Sequence, residues 1–190
     1  MIILASNSKR RIEMFKDFNL NFKSVDHKFN EFQISTKLPP SKYCQMIAYG
    51  KSKSISNLYP NDYIVGSDTI VYFNKKFIGK PKNIIDAKKI LKKLSDNMHY
   101  VYTGVSIINF KYKINIIFYC KTKVYFWKLN NGMIDNYLEL NTFSDKAGGY
   151  SIQGSSKLFV KSINGCHENV LGFPISLFYK KINDIGLNLF

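Results

Sequence analysis

A short apolar strand, a serine-rich turn and a helix follow one another at the N-terminus, in MIILASNSKRRIEMF. Met1 to Ala5 predicts a buried strand, and the turn Ser6-Asn7-Ser8 can cap a helix that begins at Lys9. The same alternation of apolar strands and helices continues along the chain. Because alternating strands and helices pack as helices against a sheet, the sequence predicts an α/β fold with a long twisted mixed sheet flanked by helices.

Apolar periodicity and turn residues divide the rest of the chain into further elements. The predicted helices are 9–18, 39–55, 84–94, 133–140 and 175–185. The predicted strands are 1–5, 22–25, 63–66, 69–73, 77–80, 100–110, 114–129 and 158–160, with the polar pair Ser67-Asp68 breaking the pattern between 66 and 69. The sequence shows no internal repeat and no linker, so a single domain over residues 1–190 is expected.

The chain carries a formal net charge of +15, which favours anionic ligands and makes nucleic acid a candidate partner. The lysines are spread along the whole chain, however, and most aromatic residues follow the periodicity of a core. Among 28 basic residues, Arg10 and Arg11 are the only arginines. Arginine grips a phosphate with two parallel hydrogen bonds, which lysine cannot do, so this adjacent pair indicates a phosphate site.

Other features exclude several classes of protein. No apolar run reaches the roughly 18 residues that a membrane span needs. The N-terminal charges follow the apolar stretch, the reverse of a secretory signal, so a cytoplasmic location is expected. Cys44, Cys120 and Cys166 match neither a disulfide framework nor a zinc motif, and we interpret them as reduced thiols.

Four polar stretches interrupt the apolar pattern near the ends of predicted strands: SNSKRR, GSDTIV, IGKP and DKAGGYSIQG. Each alone is compatible with an ordinary turn or loop. Together they supply helix N-terminal amides, two guanidinium groups, a lysine beside glycine, a carboxylate and a carboxamide. These are the groups that a triphosphate site needs, although neither GxxxxGK[ST] nor GxGxxG occurs.

These motifs, with LASNSKRR at the start and IIDAKKIL and YTGV between, resemble in order and spacing those of the Maf family of nucleoside triphosphate pyrophosphatases. The resemblance implies a fold related to the inosine triphosphatase architecture, with two lobes and a central cleft. It also implies a cytoplasmic house-cleaning enzyme, often a homodimer, that needs a divalent cation (Mg²⁺, Mn²⁺ or Co²⁺). The DTIV and SIQG segments are similar to the branch that hydrolyses dTTP and UTP, with modified pyrimidine nucleotides as further candidates.

The resemblance also implies roles for individual residues. Asp68 is expected to orient and deprotonate the attacking water, and Glu31 is expected to hold the metal together with Asp68. Lys51 and Lys80 would add positive charge along the triphosphate. The residues expected to bind substrate are Ser6, Arg10, Arg11, Thr69 and Gln153, of which Thr69 and Gln153 would contact the base.

Two positions depart from the family pattern: Lys9 replaces a usual proline, and Gly50 replaces a usual helix former. Two alternative functions without turnover stay open at this point. One is a basic nucleic-acid-binding module, in which charge and aromatic stacking act together. The other is a regulator of septum formation in cell division. Metal-dependent release of pyrophosphate from nucleotides would separate both from an enzyme.

Overall fold

The computed structural model of this chain describes residues 1–140 and 143–187. The α-helices of this part are α1 (Lys9–Asp17), α2 (Pro40–Ser56), α3 (Ile84–Leu94), α4 (Asn131–Leu140), α5 (His167–Leu171) and α6 (Ile175–Asn183). The strands are β1 (Ile2–Ala5), β2 (Phe22–Val25), β3 (Tyr63–Phe73), β4 (Lys76–Ile78), β5 (Met98–Asn109), β6 (Ile114–Phe126) and β7 (Val160–Asn164). Short 3₁₀ turns cover Glu31–Gln33, Ala147–Gly149 and Gly154–Phe159.

The strands of the described residues form a seven-stranded mixed sheet in the order β2-β1-β3-β5-β6-β7, with β4 paired to β3. β1 runs parallel to both β2 and β3, so that Leu4 is in register with Ser24 on one side and Val65 on the other. The pairs β3–β4 and β6–β7 are antiparallel. Parallel neighbours require a crossover connection, and α1 provides it between β1 and β2.

The chain folds into two compact units. The first contains residues 1–69 and 103–120 and the described residues from Gly172 onward. The second contains residues 70–102 and the described residues between Lys121 and Leu171. Strands β3, β5 and β6 contribute residues to both units.

The first unit has a core of aliphatic strand residues and aromatic rings. All four residues of β1 are buried, as its apolar run predicts. On α1 the ring of Phe15 is fully buried, with its centroid 4.9 Å from that of Phe173 and 5.2 Å from that of Phe22. Edge-to-face contacts of this kind add to the burial of apolar area, which stabilises the fold by about 1.5–3 kcal/mol per large side chain.

The second unit is organised around α3. The Asn83 side chain accepts a hydrogen bond of 2.9 Å from the Asp86 amide, which caps the helix N-terminus. The apolar residues of α3 repeat every three or four positions, and the buried ones are Ala87, Ile90, Leu91 and Leu94. They join a core that includes Phe126, Tyr137, Tyr150 and Phe159.

The predicted mixed α/β fold is confirmed, and residues 84–94 and 22–25 form the predicted helix and strand. The break predicted at Ser67-Asp68 is wrong, because β3 continues through both residues. The strand predicted for 158–160 is also wrong. There, Ser156 Oγ donates hydrogen bonds to the carbonyls of Ser151 and Gln153, which stabilises a 3₁₀ turn, and β7 begins at Val160. Helix α5 was not predicted.

Two further observations concern the sequence-based expectations. Within residues 1–140 and 143–187, no helix combines the length and the apolar character that a membrane crossing requires. The cysteines of the same residues form no disulfide, and Cys44 is fully buried. Burial and the nearby Asp68 charge raise the pKa of the Cys44 thiol to about 12. The single domain and the cleft between two lobes stay predictions.

Candidate active site

Asp68 lies within β3, not at a strand end as expected, and its side chain is buried. Its carboxylate Oδ1 accepts a hydrogen bond of 2.9 Å from Lys51 Nζ. The preceding residue, Ser67, is fully buried, and its carbonyl accepts a hydrogen bond of 3.0 Å from Arg11 Nη1. Because the Asp68 carboxylate has an ammonium partner and the Ser67 hydroxyl donates to the Gly172 carbonyl at 3.5 Å, the strand accommodates two polar residues that would otherwise oppose burial.

Lys51 reaches Asp68 because α2 lies unusually close to β3. A Cβ atom at Gly66 would lie 2.1 Å from the Ala48 carbonyl oxygen of α2, so this approach requires glycine. Lys51 is on the buried face of α2, with only 5% of its surface exposed. The helix therefore places a desolvated ammonium group on the Asp68 carboxylate.

Glu31 contacts the same ammonium group, since its Oε1 lies 2.8 Å from Lys51 Nζ. Glu31 begins a 3₁₀ turn that is capped by Asn30, whose side chain accepts a hydrogen bond from the Phe32 amide. Unlike Asp68, the Glu31 side chain is 42% exposed. Two predicted metal ligands, Glu31 and Asp68, thus converge on one cation of the chain itself.

Arg11 is buried against the same part of β3. Its Nε donates to the Gly172 carbonyl at 2.9 Å, and its Nη2 donates to Thr69 Oγ1 at 3.0 Å. Its Nη1 donates to the Ser67 carbonyl and, at 3.4 Å, to Ser6 Oγ. Burial lowers the pKa of Arg11, and the charge of Asp68 acts in the opposite direction. Four of the five guanidinium hydrogens therefore bind the protein.

Three further predicted residues lie next to Arg11. Ser6 and Thr69 accept hydrogen bonds from its guanidinium group, and Arg10 precedes it in sequence. Ser6 is buried, and its Oγ also accepts a hydrogen bond of 3.2 Å from the Ser8 amide, just before α1. Thr69 Oγ1 donates to the Gly172 carbonyl at 3.1 Å and shares a hydrogen bond of 2.9 Å with Thr103 Oγ1. Arg10 is partly exposed on the first turn of α1. The first unit thus brings together seven of the nine predicted site residues, namely Ser6, Arg10, Arg11, Glu31, Lys51, Asp68 and Thr69.

Lys80 and Gln153 belong to the second unit. Lys80 is exposed and follows β4, and Gln153 is exposed before the 3₁₀ turn Gly154–Phe159. The amide of Gly148 donates a hydrogen bond of 3.0 Å to the Gly79 carbonyl. The IGKP and DKAGGYSIQG stretches, which are about 70 residues apart in sequence, therefore meet in this unit.

Three residues near the site were not predicted. Tyr43 lies two turns before Lys51 on α2, and burial together with the charges of Asp68 and Glu31 raises its pKa. The eight-residue spacing on one helix face was a signal that sequence analysis could have used. His27 Nε2 lies 3.8 Å from Glu31 Oε1, and Gly172 supplies the carbonyl that Arg11 binds. No local pattern marks either of them.

The residues present fit a divalent cation in donor type. Mg²⁺ prefers carboxylate oxygens and is held in nucleotide enzymes by one or two carboxylates together with substrate phosphates. Glu31 and Asp68 supply two carboxylates directed at one point, the position of Lys51 Nζ. Among the described residues, no three His, Cys, Asp or Glu side chains are grouped so as to hold a metal ion.

The arrangement of strands and helices is that of a known α/β fold. The structure of the Staphylococcus aureus Ham1 protein superposes with a TM-score of 0.56 and 14% sequence identity, covering 96% of this chain and 98% of that chain. At this identity the likeness concerns the fold alone. The particular family follows from the sequence: a profile of the Maf-like protein family matches residues 1–185, and the chain belongs to this family.

Curated relatives align over nearly the whole chain. A protein named dTTP/UTP pyrophosphatase from Clostridium botulinum (strain Kyoto / Type A2) is 40% identical, over 99% of this chain and 98% of its own length. A protein of the same name from Geobacillus sp. (strain WCH70) is 38% identical, over 97% of this chain and 98% of its own. Another protein of this name, from Acholeplasma laidlawii (strain PG-8A), is 36% identical, over 98% of this chain and 97% of its own length.

Proposed function

We propose that this chain hydrolyses dTTP and UTP to the nucleoside monophosphate and pyrophosphate. The names and near-complete alignment of its relatives support this activity. The observation that carries it is the contact of Lys51 Nζ with both Glu31 and Asp68, on the same β3 segment that binds Arg11. Two carboxylates, an ammonium and two adjacent arginines are a suitable set for cleaving a phosphoanhydride bond.

Asp68 is the proposed general base. It would accept a proton from a water molecule as the oxygen of that water attacks phosphorus and the anhydride bond between the α- and β-phosphates breaks. Its carboxylate is buried, and Lys51 fixes one of its two oxygens. Until substrate binds, this contact keeps the carboxylate ordered within β3.

Glu31 and Asp68 would hold Mg²⁺, Mn²⁺ or Co²⁺, which when bound supplies positive charge to the phosphate oxygens. Lys51 balances the two carboxylates in the substrate-free chain. When substrate is present, we propose that its ammonium turns to a phosphate oxygen. Phosphate binding would then release the carboxylates of Glu31 and Asp68 from their contact with Lys51.

The two arginines take different roles in this proposal. Arg11 holds Gly172, Ser67 and Thr69 in place with most of its hydrogens, so that it forms the wall of the phosphate site. Arg10, which is partly exposed, would grip phosphate oxygens with its planar fork. The backbone amides at the start of α1, next to Ser6, would add further donors to an anion.

Lys80 would neutralise the departing pyrophosphate, and Gln153 and Thr69 would contact the base. A carboxamide can donate to O4 and accept from N3–H, so it suits both thymine and uracil. The single methyl group that distinguishes these bases gives a pocket little discrimination, which is consistent with two substrates. Modified pyrimidine triphosphates are candidate substrates for the same reason.

A nucleotide panel tests the proposal. Purified protein is incubated with dTTP, UTP, CTP and 7-methyl-GTP, each with Mg²⁺, Mn²⁺, Co²⁺ or EDTA, and pyrophosphate is measured. We expect metal-dependent pyrophosphate release from dTTP and UTP and none with EDTA. Salt-sensitive DNA binding without turnover on any nucleotide would instead indicate a nucleic-acid-binding protein. The cytoplasmic location and the homodimer stay predictions, which cell fractionation and light scattering would test.

A further inference from the structure

Gly50 occupies the interior of α2, a helix of 17 residues. Glycine at such a position destabilises a helix relative to alanine, because it loses more backbone freedom on folding. It directly precedes Lys51, whose ammonium group joins the two carboxylates of the proposed site. A residue that weakens the helix at this point requires an explanation in the packing around it.

The ring of Phe29 takes the space that a side chain at position 50 would need. A Cβ atom built on Gly50 would lie 2.3 Å from two carbon atoms of this ring, Cε2 and Cζ. No pair of non-bonded carbon atoms tolerates this distance, so an alanine at position 50 and the present position of the Phe29 ring exclude each other. Gly50 thus allows an aromatic ring to rest directly on the backbone of α2.

Phe29 belongs to the segment that carries Glu31, and this segment follows α2 through three successive contacts. The amide of Lys28 donates to Ser54 Oγ at 3.3 Å. The ring of Phe29 packs on Gly50, and Glu31 Oε1 lies 2.8 Å from Lys51 Nζ. Along the segment, the apolar contact of Phe29 stands between the two polar ones.

Glu31 depends on such support, because its own side chain is 42% exposed. Lys51 is buried, but water screens the attraction at the Glu31 end of the pair, and holding two long side chains in one geometry costs entropy. The contact with Lys51 alone is therefore too weak to fix the Glu31 carboxylate. Anchoring the backbone two residues earlier limits the positions that the Glu31 carboxylate can take.

We propose that the Phe29–Gly50 contact positions Glu31 for cation binding, with Phe29 and Gly50 as positioning residues that touch neither metal nor substrate. The metal part of this inference rests on the proposed function, whereas the anchoring of the segment does not. A pocket of about 630 Å³, lined by Phe29, Gly50, Ile34 and Tyr49 among others, adjoins the contact. It can receive a displaced ring, so alanine at position 50 is expected to move Phe29 and leave α2 folded.

The test uses Gly50→Ala, Phe29→Ala and the double variant in the full chain. Two matched controls are available. Gly132→Ala changes a glycine of α4 whose added Cβ meets nothing nearer than 3.4 Å, and Phe32→Ala removes a ring that is 98% exposed, one residue after Glu31. The readouts are amide hydrogen exchange of residues 27–33, Mn²⁺ affinity by electron paramagnetic resonance, and the melting temperature.

Both test variants should increase hydrogen exchange in residues 27–33 and weaken Mn²⁺ binding by about 10-fold, the scale seen when support of a metal ligand is lost. The double variant should be no worse than either single one, because both remove the same contact. At saturating Mn²⁺, kcat should recover to the wild-type value. Gly50→Ala should not lower the melting temperature, since alanine favours the helix.

Unchanged exchange and Mn²⁺ affinity in Gly50→Ala would overturn the proposal, as would additive losses in the double variant or equal losses in Phe32→Ala. Failure of the proposed function gives a different result. In that case wild-type protein would not hydrolyse dTTP or UTP, while hydrogen exchange would still separate Phe29→Ala from Phe32→Ala. Faster exchange with unchanged Mn²⁺ affinity would show that the contact anchors the segment without positioning a ligand, which also contradicts the proposal.

Discussion

The two arginines of the chain are adjacent in sequence but occupy different surroundings. Neighbouring helix positions point about 100° apart, so one of them faces β3 and the other does not. Arg11 is 9% exposed and donates four hydrogen bonds to the protein, whereas Arg10 is partly exposed. Lysine could supply the charge of either residue, but it has neither the planar fork nor the number of donors.

Conservative substitutions should separate these two roles. Arg10→Lys should lower kcat/KM for dTTP by about 10-fold to 150-fold, the equivalent of one charge-assisted hydrogen bond of roughly 1.5–3 kcal/mol, and leave the melting temperature unchanged. Arg11→Lys should lower both kcat/KM and the melting temperature, because buried carbonyls at Ser67 and Gly172 lose their donor.

Lys16→Arg, an exposed change at the end of the same helix, is the control and should alter neither quantity. Kinetics and thermal melting of the three variants are measured under one set of conditions. An Arg10→Lys variant with wild-type kcat/KM would remove Arg10 from the phosphate site. An Arg11→Lys variant with an unchanged melting temperature would contradict the structural role of Arg11.

Asp68 offers a second prediction at this scale. Asp68→Asn keeps the size of the side chain but removes the carboxylate that would accept a proton. We expect kcat to fall by about 10²-fold or more, the usual scale for the loss of a general base. Circular dichroism should show an intact fold, because Lys51 keeps its contact with Glu31. Activity within a few fold of wild type would exclude Asp68 as the base.

At the scale of secondary structure elements, the sequence correctly predicted features that depend on residues close together in the chain. Helix α3 was predicted with its observed bounds because the helical spacing of its apolar residues is visible in the sequence. The break at Ser67-Asp68 was wrong because the partners that keep β3 intact, Arg11 and Lys51, are 56 and 17 residues away. Sequence patterns do not show which distant donor will satisfy a buried acceptor.

The sequence also predicted part of the arrangement of the candidate site, whose roles stay predictions. Motif order identified residues that the first unit brings together, such as Glu31, Lys51 and Asp68. Their mutual contact through one ammonium group was not predicted, because it depends on the close approach of α2 to β3 at Gly66. Gly172 was missed for the same reason: what it contributes is a backbone carbonyl, which any residue type carries.

The loop that follows α4 makes contact with β5 through a buried pair. His99 Nε2 lies 2.5 Å from the hydroxyl oxygen of Tyr150, the residue after the two glycines of DKAGGY, and both side chains are in the core. Burial lowers the pKa of His99 to about 4 and raises that of Tyr150. The pair is therefore neutral at pH 7, and its hydrogen bond holds the loop that leads to Gln153.

The depressed pKa of His99 predicts a loss of stability in acid. The unfolded chain binds a proton at His99 near pH 6.5 and the native chain only near pH 4, so stability is complete above pH 6.5 and falls as the pH drops towards 4. Each unit of pKa difference corresponds to about 1.4 kcal/mol, which gives a loss of about 2–3 kcal/mol between pH 7.5 and pH 4.5.

Denaturant unfolding at these two pH values measures the effect, and His99→Gln provides the reference. Glutamine does not titrate, so the variant should lose less stability than wild type by about 2–3 kcal/mol over the same interval. Carboxylates titrate in both proteins, so their contribution to the pH dependence of stability cancels in the comparison. Equal losses in wild type and variant would show that His99 is not the group responsible.

At the scale of the whole molecule, the dominant property is the net charge of +15. A field of one sign attracts a triphosphate from solution, and it attracts any other polyanion as well. Nucleic acid is thus expected to bind weakly at low salt without being the substrate. Such binding weakens steeply with salt because each phosphate contact releases counterions, so its inhibition of turnover should vanish at moderate ionic strength.

The same charge predicts how catalysis depends on ionic strength. The Debye length shortens from about 10 Å at 0.1 M salt towards about 3 Å at 1 M, so distant lysines stop contributing while groups inside the site still do. We expect kcat/KM for dTTP to fall by about 3-fold to 10-fold when KCl is raised from about 0.05 M to 0.3 M, with kcat nearly constant. Saturating Mg²⁺ keeps metal occupancy equal, and an isosmotic sucrose series controls for osmolarity. Constant kcat/KM over this range would mean that the surface lysines do not assist substrate binding, and a parallel fall in kcat would place the salt effect in the site itself.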